Sequence, residues 1–380
     1  MMVLKMLAVL LSVADIVLVL VVTTLSRQLM RVNKKLTPPV YTSKTANETD
    51  IPSVSVCIPA RNEQHALTDC LHRVLDSDYA KLEIIVLDDA SGDNTSALIK
   101  SFASEGVRFV EGSPLPTGWL GKNHALQGLL KEASGSYVLF MDVDTALSPS
   151  AISNMVRDAM SNHAAMLSVM PRREDGWRAS IVASPLRYFW EIMLHSRVRP
   201  AVSSSAWLIR RDVLQTRLGG FEPLKNTAQP EGKLALELSR TREYRFLMGT
   251  EAFGVAYEKK WRSQLTTATR LYYPLLGKQT ALSILAALDV LMLLIPFIAL
   301  AALPFISLPP VLVAATAAVA LSFCVIYGLY TRRMWRHGWW IGAAAWPLLL
   351  IQEVVLILVS AIRHTRGSLK WRGRSIQPEA

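Results

Sequence analysis

Hydrophobicity in this chain is concentrated toward its two ends, and that uneven spread constrains the architecture before any motif is considered. Residues 3–22 and most of 280–362 are nearly free of charge, whereas residues 50–275 have the mixed composition of a water-soluble domain. Over all 380 residues the chain is 51% hydrophobic and 19% charged, which is apolar for a wholly soluble protein. The middle block, about 225 residues long, suffices for one good core. A membrane-attached protein with one sizeable aqueous domain follows.

Residues 3–22 hold fourteen Val, Leu or Ile. Each favours insertion by about 0.3–0.6 kcal/mol, which together outweighs the roughly 3 kcal/mol cost of a central Asp15. The run is longer than a usual signal-peptide core, and no small-residue cleavage site follows it. Arg27, Arg31, Lys34 and Lys35 come next and, by the positive-inside rule, place the middle domain in the cytoplasm. Residues 27–51 then form a basic juxtamembrane linker, polar from 37 onward.

Further apolar segments cover about 281–303, 308–330 and 341–362. Pro304, Pro309 and Pro310 break the first two into a hairpin, and Arg332, Arg333 and Arg336 mark its cytoplasmic exit. The third contains Pro347, Gln352 and Glu353 and precedes a basic tail, so it reads as re-entrant or interfacial. The expected division is an anchor at 1–26, a linker at 27–51, an aqueous domain at 52–275 and membrane helices with a tail at 276–380.

Within the aqueous block, strands and helices alternate. Val54–Ile58, Leu82–Leu87, Val107–Val110, Tyr137–Met141 and Ala165–Met170 read as strands, with helices at Glu63–Leu75, after Asp93 or Thr95, at His124–Lys131 and after Pro149. Such alternation predicts a parallel sheet covered on both faces. Ligands of such sheets bind beyond the carboxyl ends of the strands. The polar groups gather there: Arg61, Asn62 and Glu63 after the first strand, Asp88 and Asp89 after the second, Asp142 and Asp144 after the fourth. Strand alternation would turn Asp142 and Asp144 to one side. Two such carboxylates suit a hard divalent cation shared with a diphosphate. Alone, this D-x-D is a common accident; its neighbours give it meaning.

Those neighbours are S-V-C-I-P-A-R-N-E, L-D-D-A-S-G-D-N-T, M-D-V-D, L-G-G-F at 218–221, P-L-P-T-G-W-L-G-K-N-H-A at 114–125 and the tail L-K-W-R-G-R. Together they resemble the inverting family 2 glycosyltransferases of GT-A type, in the membrane-anchored branch that includes carotenoid-acid (diaponeurosporenoate) and hopanoid-associated enzymes. The resemblance covers about residues 52–275 and the tail. It implies an α/β GT-A nucleotide-diphospho-sugar transferase fold with one N-terminal and two to three C-terminal membrane helices. The implied donor is a nucleoside-diphosphate sugar, UDP-linked first, and the implied acceptor a lipid such as a carotenoid or hopanoid. Sugar transfer would be metal-dependent, inverting and at the cytoplasmic membrane face.

The same resemblance assigns roles by position. Pro59, Ala60, Arg61, Asn62 and Glu63 would line the nucleotide cleft. Asp89 would bind the base, and Asp88 would support its loop. Lys122 would approach the diphosphate or nucleoside, and Asp142 with Asp144 would hold Mg²⁺ or Mn²⁺. Family members usually carry an E-D pair some ten residues after G-G-F, one acid being the base; here Glu231 is followed by Gly232. Glu231 is therefore the candidate base, ahead of Glu222 and Glu237. The family's Q-x-x-R-W is also missing, leaving Arg270 as its substitute for meeting the diphosphate.

Competing classes are a polyprenyl-phosphate or polysaccharide glycosyltransferase and a catalytically silent membrane protein that binds nucleotide sugar. A nucleic-acid binder is excluded despite the net charge of +11, because the basic excess flanks apolar segments where anionic headgroups account for it. The aqueous block carries no basic-aromatic groove pattern. Three scattered cysteines, Cys57, Cys70 and Cys324, have no metal spacing and fit a reducing compartment. The histidines show no ligand spacing, and the aromatic stretch Leu186–Met193 fits core packing better than an acceptor channel.

Overall fold

The computed structural model describes residues 2–41, 51–174, 182, 184–257, 261–335, 337–367, 370–371 and 374–375. Linker residues 42–50, Arg336 and tail residues Leu369, Arg372 and Gly373 lie outside them. The chain divides into two compact units. One is α/β and takes residues 36–174, 195–258 and 370–380; the other is helical and takes 1–35, 175–194 and 259–369. The division differs from the expected one in two ways: 175–194 and 259–275 belong with the helices, and the chain joins the α/β unit at Leu36.

The α/β unit is built on a seven-stranded sheet in the order β3-β2-β1-β4-β8-β6-β9. Its strands are β1 (Val54–Ala60), β2 (Leu82–Asp88), β3 (Val107–Glu111), β4 (Tyr137–Met141), β6 (Met166–Met170), β8 (Ala206–Arg210) and β9 (Tyr244–Met248). Strands β3, β2, β1 and β4 run parallel. The purely parallel expectation fails at β8, which is antiparallel to both β4 and β6. Three short strands, β5 (Thr145–Leu147), β7 (Arg172–Arg173) and β10 (Val255–Tyr257), form a second sheet.

Alternation along the central strands sorts two cores. Val54, Val56 and Ile58 of β1, Ile84 and Val86 of β2 and Leu139 and Met141 of β4 share one buried cluster with α2 (Leu67–Leu75) and α5 (Ala151–Ser161). Cys57, Ile85, Leu87, Val138 and Phe140 share the other with α4 (Gly121–Glu132) and α7 (Pro230–Arg240). A period of two thus explains both layers, as a sheet covered on both faces requires. Between β2 and β3 lies the short α3 (Thr95–Ser101).

The helical unit contains α1 (Met2–Lys35), α6 (Arg187–Met193), α8 (Trp261–Leu275), α9 (Thr280–Met292), α10 (Ile295–Ala301), α11 (Pro310–Met334), α12 (Trp339–Ala344) and α13 (Trp346–Thr365). Among the described residues three helices, Leu4–Lys35, Pro310–Met334 and Trp346–Thr365, are long and apolar enough to cross a membrane. The pair Ser263–Leu275 and Thr280–Met292, bent by 119°, raises this to four if it counts as one span.

Three expectations change here. Helix α1 continues through Arg27 to Lys35, about 51 Å at 1.5 Å per residue, so the first part of the linker is helical. The run 281–303 is not one helix: α9 stops at Met292. Pro296 has no N–H for the Met292 carbonyl four residues back, and its ring clashes with that carbonyl. The run 341–362 is broken at Ala345, where α12 ends, and not at Pro347, which sits in the first turn of the 20-residue α13, where its missing N–H costs nothing.

Two buried acids inside these helices, Asp15 and Glu353, meet polar partners. Asp15 Oδ2 accepts the Thr316 hydroxyl at 2.6 Å, tying α1 to α11. Glu353, 1% exposed, accepts the Tyr272 hydroxyl and, at 3.0 Å, the Leu186 N–H. Phe189 is 1% exposed and packs edge-on to Tyr327, Tyr330 and Trp346. The aromatic stretch of α6 is therefore core.

Candidate active site

Strands β2, β1 and β4 are adjacent and parallel, with Ala60 paired to Asp88, so their carboxyl ends form one edge. The loop after β1 is fastened to the loop after β2. The Asn62 N–H donates to Ser91 Oγ at 2.9 Å, the Gly92 N–H donates to Asn62 Oδ1 at 2.8 Å, and the Glu63 N–H donates to Thr95 Oγ1 at 2.9 Å. Asn62 and Ala90 hold φ of 54° and 52°, left-handed values that non-glycine residues adopt at a cost of about 1 kcal/mol or more. Such strain persists where surrounding bonds over-determine a loop, as they do here.

The two neighbouring acids divide their work. Asp88, 5% exposed, accepts the Ser91 N–H and hydroxyl and the Ser96 hydroxyl, so its carboxylate shapes the loop. Asp89 donates its N–H to the Ala60 carbonyl at 2.8 Å, and its Oδ2 lies 3.6 Å from Arg61 Nη1. Gly112 donates to the Asp88 carbonyl; a Cβ there would stand 2.7 Å from that oxygen, so the backbone of the acid pair leaves room only for glycine. For Asp93, burial acts to raise the carboxyl pKa, but hydrogen bonds from the Thr95 side chain and backbone and the Gln64 N–H outweigh it and lower it.

Beyond β4, alternation places Asp142 on the α4 face, opposite Met141. Lys122, in the first turn of α4, reaches it: Nζ lies 2.6 Å from Asp142 Oδ1. The strand ends at Met141, and residues 143–144 form a turn into β5. The period of two that would turn Asp142 and Asp144 to one side therefore stops before Asp144. Burial and then the Asp144 charge raise the Cys70 thiol of α2 to about 12.

Helix α4 also receives the G-G-F turn. The Phe221 N–H donates to Gln127 Oε1 at 2.7 Å, and Gly220, at φ +65°, has no room for a Cβ beside that same oxygen, 2.8 Å away. Asn123, 2% exposed, donates to the carbonyls of Leu224 and Thr227 at 2.7 and 2.9 Å, and the Leu120 N–H donates to Lys225 at 2.8 Å. This clamp precedes α7, whose first turn holds Glu231, 3% exposed. At Gly232 an added Cβ would meet only Gln229, at an ordinary 3.6 Å.

Pro59, Ala60, Arg61, Asn62, Glu63, Asp88, Asp89, Lys122, Asp142, Asp144 and Glu231 thus all belong to the α/β unit, whereas Arg270 lies on α8 of the helical unit. Sequence reasoning missed Asn123, Gln127 and Ser205; the Ser205 carbonyl takes the Asp142 N–H at 3.0 Å and the Thr145 hydroxyl at 2.7 Å. Among the described residues no three His, Cys, Asp or Glu side chains gather to hold a metal by themselves. Asp142 and Asp144 nonetheless fit a hard cation that completes its shell with diphosphate oxygens and water, and the Lys122 ammonium already occupies a cationic position against Asp142.

A mixed α/β unit of GT-A type, with paired acids and a lysine at the carboxyl edge of its parallel strands, defines a nucleotide-sugar transferase class of fold. Residues 55–218 match the glycosyl transferase family 2 model. An undecaprenyl-phosphate 4-deoxy-4-formamido-L-arabinose transferase of Aeromonas hydrophila is 33% identical over 138 residues, 34% of this chain and 41% of that protein. A 4,4'-diaponeurosporenoate glycosyltransferase of Staphylococcus aureus is 28% identical over 121 residues, 31% of this chain and 32% of that protein. The chain thus spans less than half the length of these curated relatives. A mannosyltransferase from Pyrobaculum calidifontis, solved with GDP-Man and Mn²⁺, superposes with a TM-score of 0.58 at 20% identity, covering 94% of this chain and 100% of that one. That likeness concerns the fold.

Proposed function

We propose that this chain transfers a sugar from a nucleoside-diphosphate sugar, UDP-linked first, to a hydrophobic lipid acceptor at the cytoplasmic face of a membrane, with inversion. The observation that carries the reading is the Lys122–Asp142 pair of 2.6 Å, set beside the fastened β1 and β2 loops. Pro59 to Glu63 line the nucleotide, Asp89 accepts from the base, and Asp88 holds the loop that presents Asp89. Lys122 exchanges Asp142 for a diphosphate oxygen when donor enters. Asp142 and Asp144 would hold Mg²⁺ or Mn²⁺, which when bound neutralises charge on the departing diphosphate. The acceptor oxygen attacks the anomeric carbon opposite the diphosphate; the new C–O bond forms as the old one breaks, and its electron pair leaves with the nucleoside diphosphate.

A hydroxyl acceptor must lose a proton, and in this reading Glu231 takes it. A carboxylic-acid acceptor is already ionised near neutral pH and needs little base catalysis. The relatives named for undecaprenyl phosphate and diaponeurosporenoate support a lipid acceptor, and the three apolar helices support a membrane setting.

The test incubates membranes containing the full chain with radiolabelled UDP- and GDP-sugars, with Mn²⁺ or EDTA, and counts label in the organic extract. Metal-dependent label in lipid is expected. Nucleotide binding with neither transfer nor donor hydrolysis would replace this reading with a silent nucleotide-sugar binder.

A further inference from the structure

Helix α1 presents one seam to its neighbours: Leu11, Asp15, Leu18, Leu25, Leu29 and Val32 are all buried. Spacings of three, four and seven keep them on one side of a helix. The other side is exposed and changes character along its length. Val13, Ile16, Val19 and Leu20 are apolar there, whereas Arg27, Arg31, Lys34 and Lys35 are cationic. Arg27 and Arg31 each follow a buried leucine by two residues, about 200° around the helix, so packing turns them outward.

The carboxyl end of α11 joins the same level. Arg333 donates to Asn33 Oδ1 at 3.0 Å, exposed Arg332 lies 5.7 Å from the Trp339 ring, and Trp340 is 62% exposed. Among the described residues Arg27, Arg31, Lys34, Lys35 and Arg332 have no acidic partner. Arg210, Arg217 and Arg240 of the α/β unit are also exposed, and each pairs with a carboxylate.

We propose that this collar of five outward cations and two tryptophans binds the headgroups of anionic phospholipids. Guanidinium and ammonium groups donate to phosphate oxygens, and tryptophan favours the headgroup level. The inference rests on the helical unit being membrane-embedded. Acting together, the five charges favour phosphatidylglycerol over phosphatidylcholine by at least about tenfold.

Native mass spectrometry of the full chain in detergent, with either lipid added, reads this directly. Phosphatidylglycerol adducts should persist in the wild type, in the charge-keeping R27K/R31K and in the control R240Q. They should fall about tenfold in R27Q/R31Q/K34Q/K35Q/R332Q, and partly in R31Q and R332Q alone, which keep the test open if the multiple variant fails to fold. Equal retention of both lipids, undiminished adducts in the glutamine variants, or displacement by millimolar inorganic phosphate overturns the proposal. Carbonate washing separates the two readings: release from membranes overturns both, whereas firm retention without lipid selectivity overturns the collar alone.

Discussion

The loops after β1 and β2 and the turn that opens α7 serve opposite halves of the proposed reaction and are secured in different ways. The first pair is cross-tied by reciprocal hydrogen bonds among Asn62, Ser91, Gly92, Asp93 and Thr95, with Asp88 buried beneath them. The second is a carboxylate in a helix's first turn, followed by a glycine that no neighbour requires. Where many groups specify one another, single changes propagate. Where the next position leaves room for a side chain, as Gly232 does, the chemistry can be altered without disturbing the fold.

The largest effect should come from the donor half. Asp142→Asn is expected to lower kcat by about 10²–10³-fold, the usual cost of removing one transition-state stabiliser; label transfer to lipid measures it, and wild-type turnover would remove Asp142 from the site. Lys122→Met should weaken UDP binding by about tenfold or more, the value of a charged hydrogen bond. It should also strengthen Mn²⁺ binding without nucleotide, because the ion no longer competes with the ammonium. Calorimetry reads both, and unchanged Mn²⁺ affinity would break the competition. Gly112→Ala should destabilise by about 1–3 kcal/mol through overpacking against the Asp88 carbonyl, seen as a lower Tm.

The acceptor half should respond in the other direction. Gly232→Asp removes a helical glycine and adds an acid near a helix amino terminus, so stability should rise by about 0.5–1 kcal/mol. If the acceptor is a hydroxyl, transfer should rise too; unchanged turnover would point to an acceptor that arrives ionised. The smallest effect is at Asp93. Its carboxyl is lowered in the folded state, so its contribution is present above the unfolded value near pH 4 and fades as pH falls through the folded one. Asp93→Asn should flatten the loss of stability on acidification below about pH 4, and an unaltered acid limb would refute it.

Strands were legible because apolar runs ended in polar clusters; Tyr137–Met141 needed no adjustment. The reversed direction of β8 was not, since nothing local records which way a strand enters a sheet. Gln127 was hidden because a polar residue on a helix looks solvent-facing, and Asn123 because it fell before the expected helix start at His124; their partners lie 94 and 101 positions away. The turn at residues 143–144 was hidden because nothing local marks where the strand's period of two stops, and the place of Pro347 was hidden because the same residue ends a helix or begins one. Asp88 and Asp142 stand out in the sequence because the first ends a buried strand and the second directly follows one.

The two-sided sorting of β1, β2 and β4 has an evolutionary corollary. A one-residue deletion inside β4 would leave its composition almost intact yet exchange the two interiors and carry Asp142 away from the α4 face. Substitution at any one buried position alters a contact, whereas a change in length there alters the address of the chemistry. Drift in this family segment should therefore proceed by replacement within strands, with insertions and deletions confined to the connections between them.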